Sequence, residues 1–312
     1  MHFDAGPAVL WSLGGLYGIL IAASLAVLFL RWRGPDKDRT ELAQRIRSWW
    51  YIVTVFPLAM VLSLQVAVAF FALVSFLGLK EYLSIVPTRR ADRRVLFWAY
   101  LAIPLQYYWV SQAWYGMFII FIPVYVFLAL PMCMVLTGET KDFLSAAGTL
   151  HWGIMTLVFG ISHIAYLLVL PQDKNPSAAG AGLVLFLVFL SQFNDVAQYI
   201  WGNLLGGHKI IAKVSPHKTW EGFLGGVATT TLLAFILSRW LTPLAAHTAL
   251  FAGVLISVAG FVGDVTISAL KRDIGVKDTG TLLPGHGGIL DRIDSLTYTA
   301  PLFFHFIYYL HY

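Results

Sequence analysis

The chain has 312 residues, 58% of them hydrophobic and only 12% charged, with a mean hydropathy of +0.74 and a net charge of +5. Soluble domains carry about 25% charged residues, so the composition excludes an ordinary soluble enzyme, and it gives no reason to expect a nucleic-acid partner. Apolar runs of 18 residues or more recur from end to end, the pattern of an all-α, polytopic integral membrane protein of about nine spans with no soluble domain.

In chain order, residues 9–30 form the first expected span. No Lys or Arg precedes Arg31, so the segment lacks the basic start of a cleaved signal peptide and reads as retained. The loop 31–47 follows with six Lys or Arg, and the loop 80–94 carries five. Both belong inside by the positive-inside bias, so the 33 residues of 50–82 must cross twice or form a re-entrant hairpin. As one continuous helix they would extend about 50 Å, more than one bilayer core needs, and Pro57 offers a break. Further spans are expected at 95–113, 117–136, 148–170, 181–204, 222–240, 245–268 and 296–311. Cys133 lies within an apolar run and, as the single cysteine, has no intrachain disulfide partner. This parity puts the N-terminus outside and the 205–221 and 269–295 loops in the cytoplasm. The whole chain reads as one membrane domain, with 1–170 as scaffold helices and 180–312 as the catalytic half.

Polar chemistry concentrates in two patches. The first runs from Phe193 to Gly226. Asp195 falls inside an apolar helix, where an uncompensated carboxylate costs several kcal/mol; Tyr199 and Gly202 share its face at helical spacing, with Gln198 beside them. Ser215 followed by Pro216 reads as a helix start with Lys218 in the first turn, and hydroxyls, free N–H groups and a lysine there suit a phosphate. The bland alternative is a basic inner loop that only sets topology.

The second patch runs from Asp264 to Ser295. Nine charged or imidazole side chains fall within the 28 positions 268–295. Asp264, Ser268 and Lys271 lie on one helical face. The run Pro284-Gly285-His286-Gly287-Gly288 exposes backbone N–H groups that can approach an anion. Asp291 and Asp294, three apart, share a helix face with Arg292 between them. Paired carboxylates beside a phosphate-binding turn are what a Mg²⁺–triphosphate complex requires, although a D-x-x-D pair alone is more often a solvated face. No HExxH, CxxC, Walker A or GxSxG pattern is present.

The order S-x-L-K-R-x4-K-D-x-G-x2-L-P-x-H-G-G-I-L-D-R-I-D, Ser268 to Asp294, resembles the signature of the phosphatidate cytidylyltransferases, the CDP-diacylglycerol synthases. The stretch N-D-V-x-x-Y…S-P-x-K-T-W-E-G-F-x-G-G, Asn194 to Gly226, is similar to the same family, and Lys80-Glu81-Tyr82 more loosely so. Gln198, Asn203 and His217 depart from the family pattern and leave room for a divergent paralogue. The resemblance implies transfer of the cytidylyl group of CTP to phosphatidate, releasing pyrophosphate, at the cytoplasmic face of a bacterial inner membrane. It implies Mg²⁺ or Mn²⁺, with room for a monovalent cation, membrane lipids as surroundings and a homodimer as a possible assembly. Asp264, Asp291 and Asp294, then Asp195, are the expected metal-proximal carboxylates. Lys271, Arg272 and His286 join the first three as catalytic candidates. Lys218, Lys271, Arg272, Lys277 and Arg292 are the expected phosphate clamps. Ser215, Thr219, Gly287 and Gly288 are expected phosphate donors, and Asn194, Tyr199, Glu221, Ser268 and Asp278 further substrate contacts. The competing readings are a CTP-dependent lipid kinase of the dolichol or phytol type and, further off, an ion-coupled transporter.

Overall fold

The structure, a computed structural model, describes residues 7–33, 40–280 and 287–312. Among the described residues eleven α-helices succeed one another, with short 3₁₀ turns at Arg90–Asp92 and Gln172–Lys174 between them: α1 (Pro7–Arg33), α2 (Thr40–Leu62), α3 (Leu64–Ile85), α4 (Arg93–Ser111), α5 (Tyr115–Val135), α6 (Phe143–Val169), α7 (Ala179–Leu205), α8 (Trp220–Leu241), α9 (Ala246–Asp273), the single turn α10 (Leu290–Ile293) and α11 (Leu296–His311). Among the described residues no β-strand forms beyond single bridged pairs such as Lys209 with Thr219.

The chain is an all-α polytopic membrane protein. Seven of the helices, α1, α3 and α5 to α9, are long and apolar enough to cross a membrane. The expected count was about nine. The difference lies in α4, whose 19 residues begin with two arginines, and in α11, which has only 16. Their outer faces are those of a protein solvated by hydrocarbon: Leu10, Trp11, Leu28, Leu128, Leu136 and Trp240 are all exposed. Aqueous exposure of so many large apolar side chains would be unfavourable.

The stretch 50–82 is indeed divided, but at Ser63 and not at Pro57, which sits inside α2. Ser63 adopts an extended backbone and its Oγ accepts the Val66 N–H at 3.2 Å, which starts a new helix. Phe56 then meets Phe70 and Phe71, with ring centroids 6.1 and 6.2 Å apart. These rings lie at nearly equal distances along the chain on either side of Ser63, so α2 and α3 fold back on each other as a hairpin.

The C-terminal helices approach closely because their contact faces lack side chains, the membrane solution to helix packing. A Cβ at Gly222 of α8 would lie 2.7 Å from the Gln198 carbonyl oxygen of α7. A Cβ at Gly263 of α9 would lie 2.5 Å from the Asp294 carbonyl oxygen. These approaches bring the polar residues of α7, α8, α9 and the α10–α11 junction to one end of the bundle.

Candidate active site

Asn194 ties three helices together. Fully buried on α7, it donates from Nδ2 to the Ser257 carbonyl of α9 at 3.2 Å, and its Oδ1 accepts from Thr230 Oγ1 of α8 at 3.3 Å and from Ser257 Oγ. The next residue, Asp195, therefore has a fixed position. Its Oδ2 accepts from the buried Ser295 hydroxyl at 3.5 Å, and Ser191 Oγ donates to the same hydroxyl at 3.2 Å. Its Oδ1 is buried and has no hydrogen-bond partner.

Two more carboxylates converge on this point. Asp264 of α9 accepts from Ser268 Oγ at 3.2 Å and is ion-paired with Lys218 Nζ at 2.6 Å. Lys218 is held from two further sides, by Gln198 Oε1 at 3.4 Å and by the Phe261 ring with its centroid at 4.8 Å. Asp294 lies where α10 hands over to α11, and its Oδ1 accepts the Ser295 N–H at 2.7 Å. Burial first, and then the Asp264 and Asp195 carboxylates, raise the Asp294 carboxyl well above the usual range, against the pull of the Ser295 N–H and Lys271. Arg292 stands within electrostatic reach of Asp195.

Asp195, Asp264 and Asp294 thus form a group short of positive charge. Among the described residues no three Asp, Glu, His or Cys side chains make a ready ligand cage. A hard cation held by one or two carboxylates and completed by substrate phosphates needs no such cage. The unpartnered Asp195 Oδ1 fits that mode of binding, and Asp195, Asp264 and Asp294 are the residues that would hold the cation.

Asp291 belongs to a different cluster. Its Oδ1 is ion-paired with Lys271 Nζ at 2.8 Å. Its Oδ2 accepts from the Thr279 N–H at 2.9 Å, Thr279 Oγ1 at 3.0 Å and the Gly288 N–H at 3.1 Å. Burial raises its proton affinity, but the Lys271 hydrogen bond and the Thr279 and Gly288 N–H groups outweigh it, so the carboxyl stays below its ordinary range. With α10 only one turn long, Asp291 and Asp294 face separate partners instead of sharing one site.

The turn that Asp291 clasps is gripped from its other side by Glu81 of α3. Glu81 Oε2 accepts the Leu290 N–H at 2.9 Å and Thr279 Oγ1 at 3.4 Å. Gly287 has φ +78°, a conformation open to glycine, and a Cβ on Gly288 would collide with Glu81 and Thr279. Glu81 and Thr279 were absent from the expected site. The Lys80-Glu81-Tyr82 triplet is the signal for Glu81, and it reaches the site from the N-terminal half.

The remaining expected residues divide among several positions. Arg272 donates from Nε to the Val214 carbonyl at 3.2 Å and so pins the 206–219 loop. Glu221 clasps the same loop through His208, with Nδ1–Oε1 at 2.6 Å and the backbone N–H to Oε2 at 3.2 Å. The helix expected at Ser215 starts instead at Trp220: Thr219 is its cap, its Oγ1 accepting the Gly222 N–H at 3.2 Å, while Ser215 and Lys218 lie in the turn before it. The capping hydroxyl and extended backbone of Thr219 set the boundary there. Lys277 and Asp278 are exposed, and Tyr199 is 70% exposed on an outer face. His286 lies outside the described residues.

Carboxylates and lysines, buried or partly buried and gathered at one end of a bundle of membrane-length helices, make an arrangement suited to an anionic ligand. The profile of the cytidylyltransferase family matches residues 43–310, and the chain belongs to that family. It is a nucleotidyltransferase. It is 47% identical over 298 residues to the uncharacterised protein YnbB of Escherichia coli K12, covering 96% of this chain and 98% of that one. It is 40% identical over 136 residues to a phosphatidate cytidylyltransferase of Haemophilus influenzae Rd, 42% of this chain and 47% of the relative. With a phosphatidate cytidylyltransferase of Synechocystis sp. PCC 6803 the identity is 46% over 115 residues, 36% and 39% of the two chains. The match thus spans half or less of the length of these two curated enzymes.

Proposed function

We propose that the protein transfers the cytidylyl group of CTP to phosphatidate, giving CDP-diacylglycerol and pyrophosphate. The observation that carries this reading is the convergence of Asp195 of α7, Asp264 of α9 and Asp294 of the α10–α11 junction beside Lys218. The phosphatidate cytidylyltransferases among its relatives support the choice of substrates.

The phosphate of phosphatidate is already an anionic nucleophile, so the reaction needs no strong base. One of its oxygens attacks the α-phosphorus of CTP, the bond to the bridging oxygen of the β-phosphate breaks, and pyrophosphate leaves with that electron pair. Lys218 and Lys271 lower the repulsion between the two anions and stabilise charge on the departing pyrophosphate. Asn194, through Ser257 and Thr230, keeps Asp195 in register with Asp264. Glu81 and Asp291 hold the glycine turn. A divalent cation, Mg²⁺ or Mn²⁺, bound with the triphosphate would supply further charge neutralisation at the three carboxylates.

The Lys- and Arg-rich loops 31–47 and 80–94 favour placing this end of the bundle at the cytoplasmic face of a bacterial inner membrane, where CTP is. The test is turnover by the purified protein with CTP labelled in the α or the γ phosphate. Lipid labelled from α-labelled CTP supports the proposal; lipid labelled only from the γ position would show a lipid kinase instead.

A further inference from the structure

We infer that His163 of α6 and His305 of α11 bind a divalent transition cation of tetrahedral preference, of which Zn²⁺ is the type. The site lies apart from the carboxylate group and takes no part in cytidylyl transfer, so it stands or falls independently of that reading.

His163 follows a π-helical turn of α6, Met155–Gly160, a distortion that concentrates at functional sites. Beyond that turn every residue from Ile161 to Leu168 is buried, His163 completely. Its Nδ1 lies 2.7 Å from the Phe159 carbonyl oxygen. A carbonyl only accepts, so Nδ1 carries the proton and Nε2 presents a lone pair. That Nε2 is buried and has no hydrogen-bond partner among the described residues, and the same is true of His305 Nδ1. A lone pair left without a partner in low dielectric is unfavourable. An imidazole whose other nitrogen donates to a backbone carbonyl is also how histidine is held when it ligates a metal.

The separation of the two rings selects the cation. A nitrogen–zinc bond is about 2.05 Å, and the ligating nitrogen stands about 1.15 Å from its ring centre. With each bond in line with its ring, two imidazoles on one tetrahedral ion have centres about 5.2 Å apart. The centroids of His163 and His305 are 5.3 Å apart, with the ring planes at 65°. A linear two-coordinate ion would hold them more than about 6 Å apart. Phe304 has its centroid 5.2 Å from each histidine, and Phe118 and Phe159 stand 4.8 and 4.6 Å from His163. Aromatic rings attract a desolvated cation. Among the described residues there is no third His, Cys, Asp or Glu in such a group, so water or a small anion completes the coordination. It enters beside His305, which is only partly buried and stacks on the exposed Tyr309.

His163 and His305 each stand six residues before the end of their helix, and His305 is eleven beyond Asp294. The latter interval is about 16 Å along α11, which separates the pair from the carboxylates. A cation there joins α6, in the N-terminal half, to α11, whose first turn meets the carboxylate group.

The experiment uses the full chain in nanodiscs, purified without a polyhistidine tag and stripped with EDTA. Zn²⁺ is added with millimolar Mg²⁺ present, so that the harder ion occupies the carboxylate oxygens. Wild type should retain about one Zn²⁺ per chain, and His163→Phe or His305→Phe less than about 0.2. Zn²⁺ at 100 times its dissociation constant should raise the wild-type melting temperature by about 5 °C and leave both variants where they were. Helicity and a monodisperse sizing profile establish that each variant is folded. His305→Phe, at a partly buried position, decides alone if His163→Phe does not fold. X-ray absorption of the wild-type Zn²⁺ form needs no variant and should show imidazole nitrogen in the first coordination shell. Wild-type retention below about 0.2 Zn²⁺ per chain, equal retention by a folded variant, or a shell of oxygen alone would each overturn the inference.

Discussion

Asp291→Asn and Asp294→Asn remove one negative charge each, three residues apart, and the structure assigns them opposite consequences. The Asp291 side chain is 6% exposed and its partner Lys271 15%, so solvent screens this ion pair little. Removing one member of such a pair costs about 3–5 kcal/mol. Asparagine keeps one acceptor oxygen, but its amide must face Lys271 or one of the Thr279 and Gly288 donors. We expect a loss of about 3 kcal/mol, at the lower end of that range, or about 5 °C in melting temperature for a chain of this length. Asp294→Asn instead relieves a carboxyl crowded by Asp264 and Asp195, so stability changes by less than about 1 kcal/mol. Turnover should nevertheless fall by about 100-fold or more, the order seen when one electrostatic stabiliser is removed. The assays are thermal unfolding of the detergent-purified protein and CDP-lipid formation well below the melting point. An Asp291→Asn variant that melts like wild type but has lost turnover would refute the reasoning, because Asp291 would then act on substrate and not on the turn.

Three further outcomes follow from the same contacts. Gly288→Ala, whose Cβ meets Glu81 and Thr279, should destabilise the protein, and adding Glu81→Ala should recover about 1 kcal/mol relative to additivity, read as a double-mutant cycle of melting temperatures. Asn194→Leu strands the Ser257 and Thr230 groups and should cost about 2–3 kcal/mol, with turnover lost at temperatures where wild type is active. Chelation by EDTA should abolish CDP-lipid formation and added Mg²⁺ should restore it; full activity in EDTA would remove the cation from the proposal.

Hydropathy made the helices legible because lipid imposes one requirement on every span. The same rule required 50–82 to turn, since two basic loops had to emerge on one side. It could not locate the turn, because Ser63 and Pro57 are both plausible interruptions and only the extended backbone at Ser63, capping Val66, distinguishes them. Tyr199 shows the reverse limit. Helical spacing places it near Asp195, but α7 is packed through Asn194 and Gln198, which are buried, and this turns Tyr199 outward.

The density of charge at 268–295 marked where the chemistry lies but not how it is divided. Spacing treats Asp291 and Asp294 as equivalent, since each is a carboxylate on the same short segment. What separates them is the donors each meets among the described residues: Lys271, Thr279 and Gly288 for Asp291, and the N–H of the adjacent Ser295 for Asp294. A carboxylate with a full set of partners holds structure in place. One that is buried beside two others with too few partners keeps an unmet demand for positive charge, and that demand is what a phosphate-bound cation would satisfy. Asp195, with one oxygen lacking any partner, carries that demand most plainly, although in the sequence it is a lone acid inside an apolar helix.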